Sequence, residues 1–127
     1  NDDGHIILRG GTVPNYDRAN VMQAVEKLES HGLRPNVMID CSHANSMKQP
    51  ERQVDVARDI AGQVADGDEH IVGVMIESHI NAGRQDIETG KELQYGISIT
   101  DACIGWGNTV EVLELLAEAV EKRRQSA

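Results

Sequence analysis

Val37-Met38-Ile39-Asp40-Cys41-Ser42-His43-Ala44-Asn45-Ser46 decides how this chain folds. A β-branched apolar run stops there in Asp, Cys, Ser, His and Asn, the pattern of a buried strand that delivers polar groups at its C-terminal end. The event occurs twice more. His5-Ile6-Ile7-Leu8 runs into Arg9-Gly10-Gly11, and Ile71-Val72-Gly73-Val74-Met75-Ile76 runs into Glu77-Ser78-His79. Three apolar strands that each finish in ionisable residues point to one shared site.

Helical patterns separate these strands. Asp17 is placed to cap a helix reaching about Ser30, with Val21, Met22, Val25 and Leu28 on one face and His31-Gly32 as its stop. Pro50 opens a second helix, on which Val54, Ala57, Ile60, Ala61, Val64 and Ala65 keep helical spacing until Asp66-Gly67. A third is expected to start at Asn108 with Glu111 completing a capping box, its Val112, Leu113, Leu116, Ala119 and Val120 facing a core. Between Ser78 and Gly107 lies a polar, glycine-rich segment far longer than an ordinary βα loop, and segments of that size inside compact domains are functional or disordered.

The order β-α-β-α-β-loop-α, with strand starts 31 and 35 residues apart, predicts an α/β fold with a parallel sheet. Strands apolar on both sides need cover on both faces, and three helices cover one. The expectation is therefore one domain over 1–127 that forms the C-terminal part of a TIM (β/α)8 barrel, supplying about three βα units. In such barrels the active site lies at the C-terminal ends of the strands, where this chain concentrates its unusual polar residues.

Composition narrows the function classes. Tyr16, Tyr95 and Trp106 are the only aromatic residues, so the core must be aliphatic. A formal net charge of −9 argues against nucleic acid and against an anionic membrane surface, which both reward clustered Lys and Arg. Two cysteines, Cys41 and Cys103, make no disulfide framework, and a reducing, cytoplasmic setting is expected. No apolar run approaches a membrane span.

Four stretches together carry a resemblance: Ile7-Leu8-Arg9-Gly10-Gly11, Met38 to Ser46, Gly73-Val74-Met75-Ile76-Glu77-Ser78-His79, and Ser98-Ile99-Thr100-Asp101-Ala102-Cys103-Ile104-Gly105-Trp106. In order and spacing they resemble consecutive motifs of 3-deoxy-D-arabino-heptulosonate 7-phosphate (DAHP) synthase, of the class with short microbial chains, over its C-terminal third. The resemblance implies condensation of phosphoenolpyruvate with erythrose 4-phosphate, the first step of the shikimate pathway. It implies a divalent metal (Mn2+, Fe2+, Co2+ or Zn2+) held by His43, Glu77 and Asp101, the matches to three of the family's four ligands. The fourth, a cysteine, belongs to an earlier strand of the family. His43 and Asp101 are expected to meet substrate as well, and Arg9 matches an arginine that binds the phosphoenolpyruvate phosphate.

The residues support these roles unequally. Glu77 closes a largely apolar strand and is costly to bury without a cation. A histidine in a loop is ordinarily a surface or packing residue, and it is the position of His43 beside Asp40 that favours a ligand. Arg9 before two glycines presents a guanidinium fork beside unshielded backbone N–H groups, a good anion site. Asp101 is singled out by the resemblance alone. Asp40 and His79 are expected behind the ligands, Lys48 and Arg52 as positive charge or as a solvated helix start, and Trp106 as an anchor for the long loop. Cys41, two residues from His43, has two readings: a substitute thiolate ligand, or a small buried hydrophobe.

On this reading the 127-residue piece by itself is expected to be inactive. The alternative is a non-catalytic half-barrel that persists by association with itself or with the remainder of a barrel. Open strand edges invite pairing, so a homo-oligomer is expected.

Overall fold

A computed structural model describes residues 2–127. Three strands, β1 (Ile6–Leu8), β2 (Val37–Asp40) and β3 (Ile71–Met75), alternate with helices α1 (Arg18–Ser30) and α2 (Arg52–Ala65), and α3 (Trp106–Ser126) follows the long segment. The strands form one sheet in the order β1-β2-β3, parallel throughout. No helix among the described residues is long and apolar enough to cross a membrane.

The strand register explains the two unlike faces of the sheet. Ile6 pairs with Val37 and Val37 with Ile71, while Leu8 pairs with Ile39 and Ile39 with Val74. These six side chains belong to or pack on the core cluster with Val21, Val25, Val56, Ala57, Ile60, Ala61, Val64, Val112 and Ala119. A register irregularity between Val37 and Met38 puts Gly73, not Val72, opposite Met38. On the other face Ile7 is 52% exposed, and Gly73 lies under the Met38 side chain. Helical cover on one face only is what the sequence pattern implied.

Local chemistry sets the helix ends. Asp17 caps α1, accepting from the backbone N–H of Asn20 at 3.2 Å and from the Asn20 side chain at 2.5 Å, and the side-chain bond chiefly holds its carboxyl below the usual range. The α3 start differs from expectation. Gly105 is the N-cap, so Asn108 and Glu111 are already helical and make no capping box. Tertiary contacts override the local signal: Trp106 N–H donates to the Ile80 carbonyl at 3.2 Å, and the Thr109 and Ser78 hydroxyls share a hydrogen bond of 2.5 Å. Leu113, expected to face the core, is 52% exposed, whereas Val112 and Ala119 are buried.

The segment after β3 is ordered by long-range pairing. Isolated bridges join Ser78 to Ile104, Gly83 to Cys103 and Arg84 to Ser98. They fold the segment back on itself and return residues 98–104 to the end of β3.

Candidate functional site

Past the end of β2 the chain turns at once into a hydrogen-bonded loop. Ser46 N–H donates to the Ser42 carbonyl, Met47 to Ala44, and Lys48 to His43. Holding this shape puts His43, Met47 and Lys48 in the left-handed region, at φ of 50°, 54° and 58°. Each such residue costs roughly 1–3 kcal/mol and persists only where the surroundings over-determine it. Asn45, 3% exposed, is the fastener: its Nδ2 donates to the carbonyls of Leu8 and Asp40, and its Oδ1 accepts from Asn15 N–H. The ends of β1 and β2 are thus tied together. Gly10 completes the joint, at φ 78° and so close to Ala44 that an added Cβ would lie 2.7 Å from the Ala44 Cβ.

Asp40 is only 4% exposed, and both its oxygens are used. Oδ1 accepts from Ser42 N–H at 2.8 Å, and Oδ2 lies 2.7 Å from His43 Nδ1. A carboxylate oxygen accepts, so a hydrogen on Nδ1 points at Asp40 and it is Nε2 that is turned away from Asp40. That nitrogen faces Glu77 Oε1 at 3.7 Å, too long for a hydrogen bond. The other carboxylate oxygen, Oε2, accepts from Ser42 Oγ at 2.6 Å.

Glu77 stands beyond the last β2 partner of β3 and needs another backbone neighbour. Gln53, in the first turn of α2 and 1% exposed, supplies it. Its Nε2 donates to the Glu77 carbonyl at 3.0 Å and its Oε1 accepts from Glu77 N–H at 2.8 Å, as a neighbouring strand would. The Glu77 carbonyl also accepts from Ile104 N–H, and this contact brings in the loop carrying Asp101. Arg84 braces that loop, donating from Nε to the Thr100 carbonyl at 3.0 Å while Asp86 holds its terminal nitrogen.

One ligand atom from each of His43, Glu77 and Asp101 lies within 4.8 Å of the other two. Three separate stretches of sequence therefore converge. They line a cleft of about 320 Å3 together with Ser42, Ser46, Lys48, Pro50, Arg84 and Ala102. Among the described residues no Lys or Arg forms an ion pair with Glu77 or Asp101. A free imidazole nitrogen and two carboxylates without a cationic partner suit one first-row divalent ion, and Asp40 and Ser42 orient the donors as supporting residues do in metal sites.

The other sequence candidates fall elsewhere. Arg9 is exposed at the end of β1 and is not among the residues lining this cleft. His79 is exposed, and its Nδ1 accepts from the N–H of Ile80. The Trp106 ring is 58% exposed, so it is the Trp106 backbone that ties down the loop. Cys41 is fully buried, belongs neither to the His43, Glu77 and Asp101 group nor to the cleft lining, and sits in the core cluster as a small buried hydrophobe, where burial pushes its thiol up to about 12. Strand alternation does not relate Cys41 to His43, because β2 ends at Asp40. Gln53 and Ser42 escaped the sequence reading, since a Gln in a first helical turn and a Ser in a loop look solvated.

Fold and cleft define a parallel α/β protein with an imidazole-carboxylate cluster at its strand ends. Residues 1–114 match the DAHP synthetase I family, and the chain belongs to it. The Phe-sensitive phospho-2-dehydro-3-deoxyheptonate aldolase of Escherichia coli (strain K12) is 53% identical over 124 residues, covering 98% of this chain and 35% of that protein. The tyrosine-inhibited enzyme of the same name from Schizosaccharomyces pombe is 53% identical over 131 residues, covering 99% and 35%. Among solved structures, a phospho-2-dehydro-3-deoxyheptonate aldolase from Francisella tularensis SCHU S4 superposes with a TM-score of 0.92 at 47% identity, over 97% of this chain and 36% of that one. The chain thus spans about a third of the length of these relatives.

Proposed function

We propose that this chain is the C-terminal portion of a DAHP synthase (β/α)8 barrel and carries half of its active site. The observation that bears most weight is the convergence of one ligand atom each from His43, Glu77 and Asp101 within 4.8 Å, beside the C-terminal ends of β2 and β3. Residues 1–127 act as one unit of that barrel. The uncovered sheet face carrying Ile7 and Met38 then becomes barrel interior.

In this reading His43, Glu77 and Asp101 hold a divalent ion, which when bound supplies a Lewis acid for the aldehyde oxygen of erythrose 4-phosphate. Asp40 keeps the Nδ1 proton of His43 and leaves Nε2 as a donor, while Ser42 fixes one oxygen of Glu77 and frees the other. Arg9, beside the N–H groups of Gly10 and Gly11, takes the phosphate of phosphoenolpyruvate. The new bond joins C3 of phosphoenolpyruvate to the aldehyde carbon; water adds at C2, and inorganic phosphate leaves. The remaining ligand and phosphate contacts come from the part of the barrel outside these residues, so the 127-residue chain alone is inactive.

Exchanging this chain for the corresponding third of the Escherichia coli relative tests the assignment. The chimaera should consume phosphoenolpyruvate in the presence of erythrose 4-phosphate and Mn2+, and lose that activity on His43→Ala. The isolated chain should not turn over. A folded but inert chimaera would sink the synthase reading, and robust turnover by the isolated chain would sink the half-site reading.

A further inference from the structure

Of the two cations lining the cleft, one is already committed. Arg84 is held by Asp86 and the Thr100 carbonyl. Lys48 is exposed to the cleft mouth and, like several other cations of this chain, forms no ion pair among the described residues, so its charge is available. Its backbone is also unusual. Lys48 adopts φ 58°, next to Met47 at 54°, in a loop closed by its own N–H on the His43 carbonyl at 2.9 Å. A glycine or asparagine suits such a position better, so the lysine at the cleft wall is kept at a conformational cost.

The cleft, at about 320 Å3, is far larger than an ion requires and has room for a small organic anion. Arg9 is not among the residues lining this cleft. We propose that Lys48 is the cationic contact of an anion subsite in this cleft, taking a phosphate or carboxylate of the molecule bound beside His43, Glu77 and Asp101. The subsite rests on reading the cleft as a substrate site, and adds to it a second anion contact distinct from Arg9. A lysine suits the task as a compact, mobile point charge that can follow an anion.

Inorganic phosphate is the probe, titrated calorimetrically into the chain with and without Mn2+. Lys48→Ala removes the charge and keeps the strain; Lys48→Gly removes both and should leave the fold as stable or more so; Lys48→Arg restores the charge. The expected result is phosphate binding weakened at least tenfold in K48A and K48G, and less than threefold in K48R. Pyruvate run in parallel separates the two anion types, since the anion whose binding falls in K48G is the one the lysine holds. Equal binding of both anions by K48G and wild type overturns the proposal, as does a wild type that binds neither. Mn2+ affinity, measured on the same samples, keeps the two readings apart. Anion binding lost in K48G with Mn2+ affinity unchanged supports the subsite. Loss of both together shows a structural role for Lys48 and overturns it. Anion binding that depends on Lys48 in a chain without Mn2+ affinity upholds the subsite and sinks the metal reading.

Discussion

His43 Nδ1 lies 2.7 Å from Asp40 Oδ2, and this contact determines which nitrogen of the ring faces the cleft. A buried carboxylate that accepts from a histidine fixes both the tautomer and the plane of the imidazole. Replacing Asp40 with Ala releases both. Loss of such a supporting residue ordinarily costs about 10–100-fold in metal affinity. Titrating Mn2+ into D40A and wild type by electron paramagnetic resonance should give a shift in that range, and unchanged affinity would show that Asp40 does not orient the ligand.

Gln53 acts on Glu77 through the backbone. Its amide makes a two-way pair with the Glu77 peptide, at 3.0 and 2.8 Å, where β2 has already ended. Gln53→Ala should lower the free energy of unfolding by about 2–4 kcal/mol, because two backbone groups lose their partners and a buried space opens. Gln53→Glu keeps the acceptor but sets a carboxylate against the Glu77 carbonyl, and should be at least as harmful. Urea denaturation of the variants checks both; a midpoint within error of wild type for Q53A would dismiss the pairing as incidental.

Cys41 makes stability depend on alkaline pH. Burial first, and the charge of Asp40 second, raise its thiol from 9.0 to about 12 in the folded protein. Since the folded value is raised, the stabilisation is complete below pH 9 and is lost as pH climbs from 9 toward 12, where the unfolded chain gives up the proton first. Between pH 9 and 10 this amounts to about 1 kcal/mol. Cys103, also raised by burial, acts in the same direction, so the comparison is with Cys41→Ala. Unfolding free energies at pH 8, 9 and 10 should fall more steeply for wild type than for C41A, and parallel profiles would count against a fully buried thiol.

Much of this structure was legible in the residues. Ile39-Asp40 and Leu8-Arg9 mark strand ends, and Ile76-Glu77 lies just past one, because a change from apolar to ionisable side chains is a local, one-dimensional signal. Asp17 was legible as a cap for the same reason. Asp101 was not: its position depends on the pairings of Ser78 with Ile104 and Gly83 with Cys103, which bridge distant residues and leave no periodicity. The start of α3 was misplaced because Asn108 and Glu111 form a plausible local cap, whereas the Ile80 carbonyl accepts from Trp106 N–H and the N-cap falls at Gly105, three residues earlier. Lys48 gave no warning either, since neither glycine nor asparagine stands where the backbone turns left-handed.

The central claim is that His43, Glu77 and Asp101 serve one divalent ion, and Mn2+ binding to the chain tests it most directly. The account predicts one ion per chain, with His43→Ala, Glu77→Gln and Asp101→Asn each weakening binding at least tenfold while far-ultraviolet circular dichroism stays unchanged. Folded variants that bind Mn2+ as tightly as wild type would contradict it.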